Sequence, residues 1–577
     1  MKLENTFHSM RSILKYLFLF LFVSTATSLS AQPVTDLITH YQADRGALNR
    51  LYSVQPSDEY FDRFEKFYET QLQRLGEISF DDLSHSEQVD YLLFQNSLDR
   101  SLYFLQEERK QYNRIASYVP APEEIMEFIK LRRRGHSIEG QKVAEWMNSW
   151  HHEIERKMNQ LEEADHLSKR DAAYLSDAIE ELKDAIEEVY DFYYGYSPDF
   201  NWWVESPFEI LKESFESYAE LAKNHYDQDK EVVDESGITG NPIGENEINR
   251  RLAFEMISYS PQELIDIANE QYDWTLREML KASNELGFGD DWKAALEQVK
   301  TTYLPAGEQP KLVQDLADEA VTFLESRNLV TIPDMAKETW RMMMLSPEWQ
   351  RIAPFFLGGE TVRIAYPTHT MTHEEKMMSM RGNNPHFSKA VVHHELIPGH
   401  HLQQFMNQRY ETQRRMFRTP FWTEGWALYW EFVLWEKEFA NNPEDRIGML
   451  YWRMHRAARI VFSLNYHLGN WTPQQSIDYL VDKVGHEYAN AEAEVRRSFE
   501  GNYGPLYQIA YMVGAMQFYS LRMELVESGQ MNEKEFHDAI LQNNSIPVAM
   551  VKAILTEQEL NPDFESDWKF GDYIEGM

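Results

Sequence analysis

The stretch LSDAIEELKDAIEEV, residues 175–189, carries apolar side chains that recur three and four positions apart. This spacing places them on one face of an α-helix, because 3.6 residues complete one turn. The same period recurs over much of the chain, at residues 36–115, 137–195, 206–228, 247–286, 308–327, 422–468 and 505–526. Alternation with period two is rare, and its best example is ETVRIAY, residues 360–366. The sequence therefore predicts a mainly α protein with one small β element.

The length of 577 residues allows several domains of roughly 100–200 residues, or one large body with two lobes. The segment DESGITGNPIGENE, residues 234–247, contains three glycines and a proline, so it is the best candidate for a boundary. We therefore predict an N-terminal helical lobe over residues 32–240 and a second helical lobe over residues 241–577, which carries the histidine-rich and E-G-W-A segments analysed below. The aromatic-rich segment YGYSPDFNWWVESP, residues 194–207, is predicted to be a loop.

The N-terminus has the composition of a secretory signal peptide. Three basic residues precede an apolar run from Tyr16 to Val23, small residues follow, and the run is too short to span a bilayer comfortably. We predict a signal peptide over residues 1–31 and an exported protein, periplasmic or extracellular. The chain has no cysteine, so we expect neither a disulfide nor a lipid attachment site.

The charge balance is strongly acidic, with 56 basic against 94 acidic residues and a net charge of −38. A protein that binds nucleic acid or an anionic membrane needs a basic face. We therefore expect no nucleic-acid partner, and no membrane partner after signal cleavage. The acidity is typical of a solvated surface that keeps the protein soluble.

The segment AVVHHELIPGHHLQQF, residues 390–405, places four of the nineteen histidines within nine positions. His394, Glu395 and His400 follow the zinc-hydrolase pattern H-E-x-x-H with two residues inserted. In that pattern two histidines bind the metal from one helix face, and the glutamate between them acts as the base. The spacing therefore predicts a metal centre, provided that the insertion is accommodated.

Pro398 and Gly399 supply a means of accommodating the insertion. On a regular helix six residues turn about 600°, which directs His400 away from the face of His394. Proline interrupts a helix, and glycine tolerates backbone angles that other residues avoid. We predict a helical bulge that brings His400 to the second ligand position. His401 remains an alternative ligand, because it returns to the face of His394 about 10 Å along the axis.

A second helix is predicted to supply the third ligand, because TPFWTEGWALYWEF, residues 419–432, has the features of a helix start. We assign Glu424 to the metal, and Glu431 to a supporting position that accepts an N–H from a ligand histidine. The alternative for Glu424 is an acid favoured by the helix dipole. His393 is expected in packing or in support. Two histidines and a carboxylate suit one zinc ion, with cobalt and manganese as alternatives.

Two long motifs then indicate a family. HELIPGHHLQ, residues 394–403, and EGWALYWE, residues 424–431, match the signatures H-E-x-x-P-G-H-H-x-Q and E-G-W-A-x-Y-x-E. The chain resembles the bacterial domain of unknown function 885 (DUF885) family, and the likeness continues through residues 456–480 and 507–522. That family is similar to helical zinc peptidases of the thimet oligopeptidase, angiotensin-converting enzyme and dipeptidyl peptidase III groups. The resemblance implies a large two-lobed helical metallopeptidase-like body with a deep cleft.

The resemblance also places Arg459, His467, Tyr511, Gly514 and Arg522 at family positions. The chain departs from the family at residues 463–465, where Ser-Leu-Asn replaces Asp-Thr-Gly, and at NYGPLYQ, which replaces a Pro-Gly-Gln entry. These departures affect the expected substrate pocket more than the metal.

Together these features predict a zinc metallopeptidase that hydrolyses short peptides, with Glu395 as general base. Tyr511 and His467 are the candidate donors to the oxyanion that forms at the attacked carbonyl. Arg522 or Arg363 is the candidate for binding a terminal carboxylate of the substrate. Tyr511 also suits a core aromatic, and each arginine suits an ordinary salt bridge.

Two other functions remain open from the sequence. The first is a different zinc-dependent amide hydrolase, since the same metal and base would serve it. The second is a non-catalytic metal- or peptide-binding protein on a peptidase scaffold. Glu395 argues against the second, because a binding protein has no use for a base at that position.

Overall fold

The computed structural model describes residues 32–227, 234–350, 355–501 and 503–571. The predicted signal peptide lies outside these ranges. The protein is mainly α with one small β element, which confirms the fold class predicted from the helical period. In the described ranges no helix combines the length and the apolar character needed to cross a membrane.

The helices fall into two successive groups along the chain. The first group is α1 Pro33–Leu51, α2 Asp58–Gly76, α3 His85–Ile115, α4 Pro122–Arg133, α5 Gly140–Glu162, α6 Lys169–Tyr193 and α7 Pro198–Asn224. The second group is α8 Gly244–Phe254, α9 Pro261–Glu285, α10 Trp292–Lys300, α11 Gln309–Ser326, α12 Asp334–Thr339, α13 Pro347–Gln350, α14 His373–Gly382, α15 Pro385–Glu395, α16 His400–Asn407, α17 Pro420–Glu436, α18 Pro443–His467, α19 Pro473–Val484, α20 Tyr488–Phe499, α21 Tyr507–Arg522, α22 Glu533–Gln542 and α23 Val548–Leu555.

Local sequence explains where many of these helices begin. Serines precede α2, α3, α6, α7 and α9, and each side chain accepts an N–H from the first turn of its helix. Such caps satisfy backbone donors that have no partner inside the helix. The loop predicted over residues 194–207 is wrong, because Ser197 caps a helix that begins at Pro198 and continues through Pro207. Proline is favourable in the first turn of a helix, so Pro198 begins α7 without disrupting it.

The β element lies beside α15. Strands β1 Arg341–Met344 and β2 Thr361–Ile364 pair in parallel. Val362 and Ile364 are buried. They pack in one cluster with Val392 of α15 and with Leu396, the residue that follows α15. The structure thus places the small sheet against the helix that carries the histidine motif.

Helices α17 and α21 cross at two glycines. A Cβ added at Gly514 would lie 1.8 Å from the carbonyl oxygen of Phe421 and 2.9 Å from the Cα of Gly425. Real side chains do not tolerate such distances, so glycine at this crossing permits the two backbones to touch. The contact fixes the position of the first turns of α17, from which Glu424 projects.

The two groups of helices are joined by a buried ion pair. Arg414 lies in the 3₁₀ helix Thr412–Phe417, between α16 and α17. Its Nε donates to Oδ1 of Asp90 in α3 at 2.6 Å, and its Nη2 donates to Oγ of Ser86 at 2.8 Å. The segment proposed as a lobe boundary is non-helical up to residue 243, and its Thr239 N–H donates to Glu500. The division into lobes at residues 240 and 241 stays a prediction.

Candidate metal centre

A break in the chain separates α15 from α16, and it is held by backbone contacts. The Gly399 N–H donates to the carbonyl of His393 at 3.0 Å, and the His401 N–H donates to the carbonyl of Leu396 at 3.0 Å. A Cβ at Gly399 would lie 1.8 Å from the carbonyl oxygen of His394, so only glycine permits this path. The predicted bulge is therefore a full interruption between two helices.

The interruption brings the three predicted ligands together. One ligand atom from each of His394, His400 and Glu424 lies within 4.8 Å of the others, and all three side chains are buried. The Oε2 atom of Glu424 lies 3.2 Å from Nε2 of His400 and 3.8 Å from Nε2 of His394. Residues 394 and 400 thus meet although a regular helix would direct them apart.

Each of these three residues also has a partner on its other polar atom. Nδ1 of His394 donates to Oε1 of Glu431 at 2.8 Å, which is the supporting contact that the sequence predicts. Tyr507 donates its hydroxyl to Oε1 of Glu424 at 2.6 Å. The side-chain amide of Gln403 lies 2.7 Å from Nδ1 of His400. These contacts orient the three side chains toward their common centre.

The residues present fit a zinc ion. Two imidazole nitrogens and one carboxylate oxygen are the donor set of many catalytic zinc sites, which keep a fourth position open. Burial alone would raise the pKa of Glu424, but His400 and His394 hold that pKa well below its usual range. A ligating Nε2 leaves the ring proton on Nδ1, and in His394 that proton is donated to Glu431.

Among the described residues one other group has metal-ligand spacing, formed by His151, His152 and Glu155. It lies at the surface, where His152 and Glu155 are exposed. The pKa of Glu155 is lowered by its hydrogen bond to His152, which accounts for that contact as an ordinary surface pair. The buried group is therefore the stronger candidate.

Glu395 stands beside the cluster, as the sequence predicts for a general base. Its Oε2 lies 4.0 Å from Nε2 of His400. The backbone at residues 358–359 passes close to it: the Gly359 N–H donates to the Glu395 carbonyl at 3.2 Å, and a Cβ at Gly358 would lie 2.1 Å from Oε2. Burial raises the pKa of Glu395, and the nearby histidines oppose this shift.

The cluster opens into a cavity of about 270 Å³. Helix α18 lines it with residues spaced three, four and seven apart, and α20 does the same. These residues are Trp452, His455, Arg456 and Arg459 from α18, and Asn490, Ala493, Glu494 and Arg497 from α20. Tyr507 and Tyr511 from α21 complete this side, and the ring centroid of Tyr511 lies 6.3 Å from that of His394.

Charge is concentrated in this wall. Glu494 binds two arginines, with Nε of Arg459 at 2.6 Å from Oε1 and Arg497 on Oε2. Burial would raise the pKa of Glu494, yet these two arginines lower it to about 2. His486 and His455 share a hydrogen bond of 2.9 Å between ring nitrogens. The cavity therefore presents fixed positive charge in a protein whose net charge is negative.

Three residues predicted for substrate or transition-state contacts do not line this cavity. His467 lies at the C-terminal end of α18, packs on Phe499, and has its pKa lowered to about 4 by burial. Arg522 lies eleven positions after Tyr511 on α21, about 16 Å along the axis, and it binds Glu436 and Glu533. Arg363 is exposed on β2. We therefore omit all three from the site.

Two other histidines of the motif also face away from the cluster. Nε2 of His401 lies 2.7 Å from the carbonyl of Ala336, so its ring is engaged elsewhere. His393 is buried against the ring of Phe439, and burial lowers its pKa to about 4. The structure thus favours His400 over His401 and gives His393 a packing position.

The sequence predictions missed Gln403, Tyr507 and Arg456. Each of them carries a helical signal that is visible in the printed sequence. Arg456 belongs to a polar stripe at every third or fourth position of an otherwise apolar helix, and Tyr507 precedes Tyr511 by one turn. Gln403 follows His400 by three positions, which places both on one helix face.

A family model described as "Bacterial protein of unknown function (DUF885)" matches residues 43–555. The chain belongs to the DUF885 family. This membership confirms the resemblance drawn from the two motifs, and both motifs contribute residues to the buried cluster. Among curated proteins, none matches this DUF885 chain.

Solved structures show the same fold in two other bacterial proteins. A candidate lipoprotein of unknown function from Shewanella oneidensis is 16% identical, with a TM-score of 0.67, over 91% of this chain and 99% of that one. A candidate lipoprotein from Colwellia psychrerythraea is 17% identical, with a TM-score of 0.59, over 91% of this chain and 98% of that one. At these identities the likeness concerns the fold alone.

Proposed function

We propose that this DUF885 protein is a zinc-dependent peptidase that hydrolyses short peptides. His394, His400 and Glu424 would hold one zinc ion. The proposal is supported above all by the meeting of these three donors beside a separate carboxylate, Glu395, in one cavity. When bound, zinc supplies a Lewis acid that polarises a carbonyl and lowers the pKa of water to about 7.

The protein's own residues would transfer the proton, contact the attacked carbonyl and orient the ligands. The carboxylate of Glu395 takes a proton from the attacking water and delivers it to the leaving nitrogen of the peptide. Tyr511 faces the same cavity and donates its hydroxyl to the oxygen of the attacked carbonyl as negative charge develops there. Glu431 and Tyr507 hold the ligand side chains in place.

Short peptides are the proposed substrates because the cluster is buried. A cavity of about 270 Å³ lined by several helices admits an extended chain of a few residues, and a folded protein surface does not fit it. This property agrees with the resemblance of the two motifs to helical zinc peptidases, whose metal lies in a deep cleft.

We also propose that the protein is exported, to the periplasm or beyond the cell. The composition of residues 1–31 supports this proposal. The two solved relatives are candidate lipoproteins, which are exported proteins as a class.

Elemental analysis and peptide digestion together test the proposal. We expect about one zinc per chain in the purified protein and in Glu395→Gln, and loss of the metal in His394→Ala and Glu424→Ala. The wild type should cleave a library of short peptides, and a chelator should abolish cleavage. Glu395→Gln should lower the rate of cleavage by at least about a hundredfold. Wild-type protein without stoichiometric transition metal would refute the proposal. Metal-loaded protein that hydrolyses no peptide or amide would indicate a binding protein instead.

A further inference from the structure

Arg456 is a buried arginine that forms no ion pair with any of the described residues. Its side chain lines the cavity and is 8% exposed. In the described ranges no carboxylate lies within 4.0 Å of its guanidinium, and its Nε has no hydrogen-bond partner. Buried charges are ordinarily paired, because a charge that loses its hydration without a partner is strongly destabilising. An unpaired guanidinium in a cavity wall therefore indicates a ligand that brings the missing negative charge.

Glu431, Glu424 and Glu395 interact electrostatically with Arg456, but none of them forms an ion pair with it. Glu431 accepts the proton of His394, and Glu424 is a proposed metal ligand that also binds Tyr507. The neighbouring arginines differ from Arg456, because Arg459 and Arg497 share the carboxylate of Glu494. Burial lowers the pKa of Arg456, and the positive charge of Arg459 adds to this shift.

The position of Arg456 relates it to the reacting groups. The guanidinium carbons of Arg456 and Arg459 each lie 4.6 Å from the ring centroid of Tyr511. The same tyrosine ring neighbours the ring of His394, at 6.3 Å between centroids. An anion bound by Arg456 therefore lies close to the proposed metal, within the span of one or two residues of an extended peptide.

We propose that Arg456 binds a carboxylate of the substrate, and that the substrates are consequently acidic at or next to the cleaved bond. This inference deepens the proposed function and rests on it. A guanidinium matches a carboxylate with two parallel hydrogen bonds, and this pairing is strongest where water is excluded. The carboxylate belongs either to the free C-terminus of the peptide or to an aspartate or glutamate side chain.

Three peptides distinguish these sources in a binding experiment. They are N-acetyl-Ala-Ala-Ala with a free carboxyl end, the same peptide as its C-terminal amide, and the amide of N-acetyl-Ala-Glu-Ala. Glu395→Gln is the parent protein, so that nothing is hydrolysed, and calorimetric titration is made with metal-free and zinc-loaded samples. We expect at least one of the two carboxylate-bearing peptides to bind about tenfold or more tightly than the uncharged amide, and the tighter of the two identifies the source.

Variants of Arg456 in the same parent complete the experiment. Arg456→Gln should remove the preference for the carboxylate, and Arg456→Lys should keep only part of it, because a lysine forms no bidentate pair. Arg496→Gln is the matched control: this arginine of α20 pairs with Glu492 and Glu500 and does not line the cavity. Circular dichroism and the melting temperature establish that each variant is folded.

The outcomes separate the two proposals. Equal binding of all three peptides, or a preference that persists in folded Arg456→Gln, would overturn the assignment of Arg456. A preference seen in metal-free protein and lost in Arg456→Gln would uphold it even if no zinc binds. In that case the peptidase proposal would fail while the carboxylate site remained. If Arg456→Gln does not fold, Arg456→Lys still decides, because undiminished preference there argues against bidentate binding.

Discussion

At the scale of single residues, the geometry of the candidate metal centre depends on Gly399. The sequence spacing predicts that His394 and His400 can share a site, on the condition that the helix between them is interrupted. The structure gives the reason, because the backbone at position 399 lies against the carbonyl of His394 and leaves no space for a side chain. The spacing of ligands and the presence of a breaker were readable from sequence, whereas this close approach was not.

Gly399→Ala should therefore separate the two ligand histidines. A Cβ placed 1.8 Å from a carbonyl oxygen must displace the backbone, and we expect zinc content to fall to a small fraction of one per chain. Strain of this kind costs about 1–3 kcal/mol, so the protein should remain folded. Elemental analysis and the unfolding midpoint measure the two effects. Gly76→Ala serves as the control, since that glycine, at the C-terminal end of α2, has no atom within 4 Å of an added Cβ and its φ lies outside the left-handed region. Full zinc occupancy in folded Gly399→Ala would contradict this account.

At the scale of secondary-structure elements, the helices were predictable and their contacts were not. Periodic apolar positions gave the helices, and Thr419 followed by Pro420 gave the start of α17, because those signals are local. The prediction failed at residues 194–207, where proline and aromatic residues suggested a loop and a serine cap begins α7 instead. Likewise His467 and Arg522 lie on the expected helices but too far along them to reach the cavity. The apolar period shows which face of a helix is buried. It does not show which turn of that helix reaches the cavity, because that depends on tertiary packing.

The crossing of α17 and α21 supplies a test at this scale. Gly514→Ala would place a Cβ 1.8 Å from the carbonyl oxygen of Phe421 and push the helices apart. Overpacking of this kind costs about 1–3 kcal/mol. Because Glu424 and Tyr507 lie on the two displaced helices, zinc affinity should fall together with stability. Competition with a chromogenic chelator measures the affinity, and urea unfolding measures the stability. Unchanged affinity with reduced stability would show that the crossing does not position the ligands.

At the scale of the whole molecule, buried neutral histidines make stability depend on pH. The pKa values of His467, His486 and His537 are each lowered to about 4, mainly by burial. An unfolded chain binds these protons near the ordinary value of 6.5, whereas the folded chain does not until about pH 4. Protonation therefore favours the unfolded chain throughout that window, and stability falls as the pH falls from 6.5 toward 4.

His537 offers the cleanest measurement of this effect. Its Nδ1 donates to the carbonyl of Leu329 and its Nε2 accepts from Tyr429, both at 2.7 Å, so its neutral form is fully bonded. A shift of this size corresponds to about 3 kcal/mol at pH 4. His537→Gln should lower the free energy of unfolding at pH 7.5. It should also reduce the number of protons taken up on unfolding by about one, so that stability declines less steeply toward pH 4. Urea midpoints measured across that range test this account. Midpoints that fall equally with pH in the wild type and in His537→Gln would disprove it.

The ion pair between Arg414 and Asp90 joins positions 324 residues apart in the chain. Arg414 lies in the short connection between the helix that carries His400 and the helix that carries Glu424. That connection is thus tethered from outside, by a helix belonging to the first hundred or so residues. A shortened protein that contains only the half with both motifs would lack Asp90. Arg414 would then be a buried cation without its acidic partner. The N-terminal helices therefore hold in place the segment that joins the proposed ligands, so a shortened version of this protein should keep α3 and its Asp90.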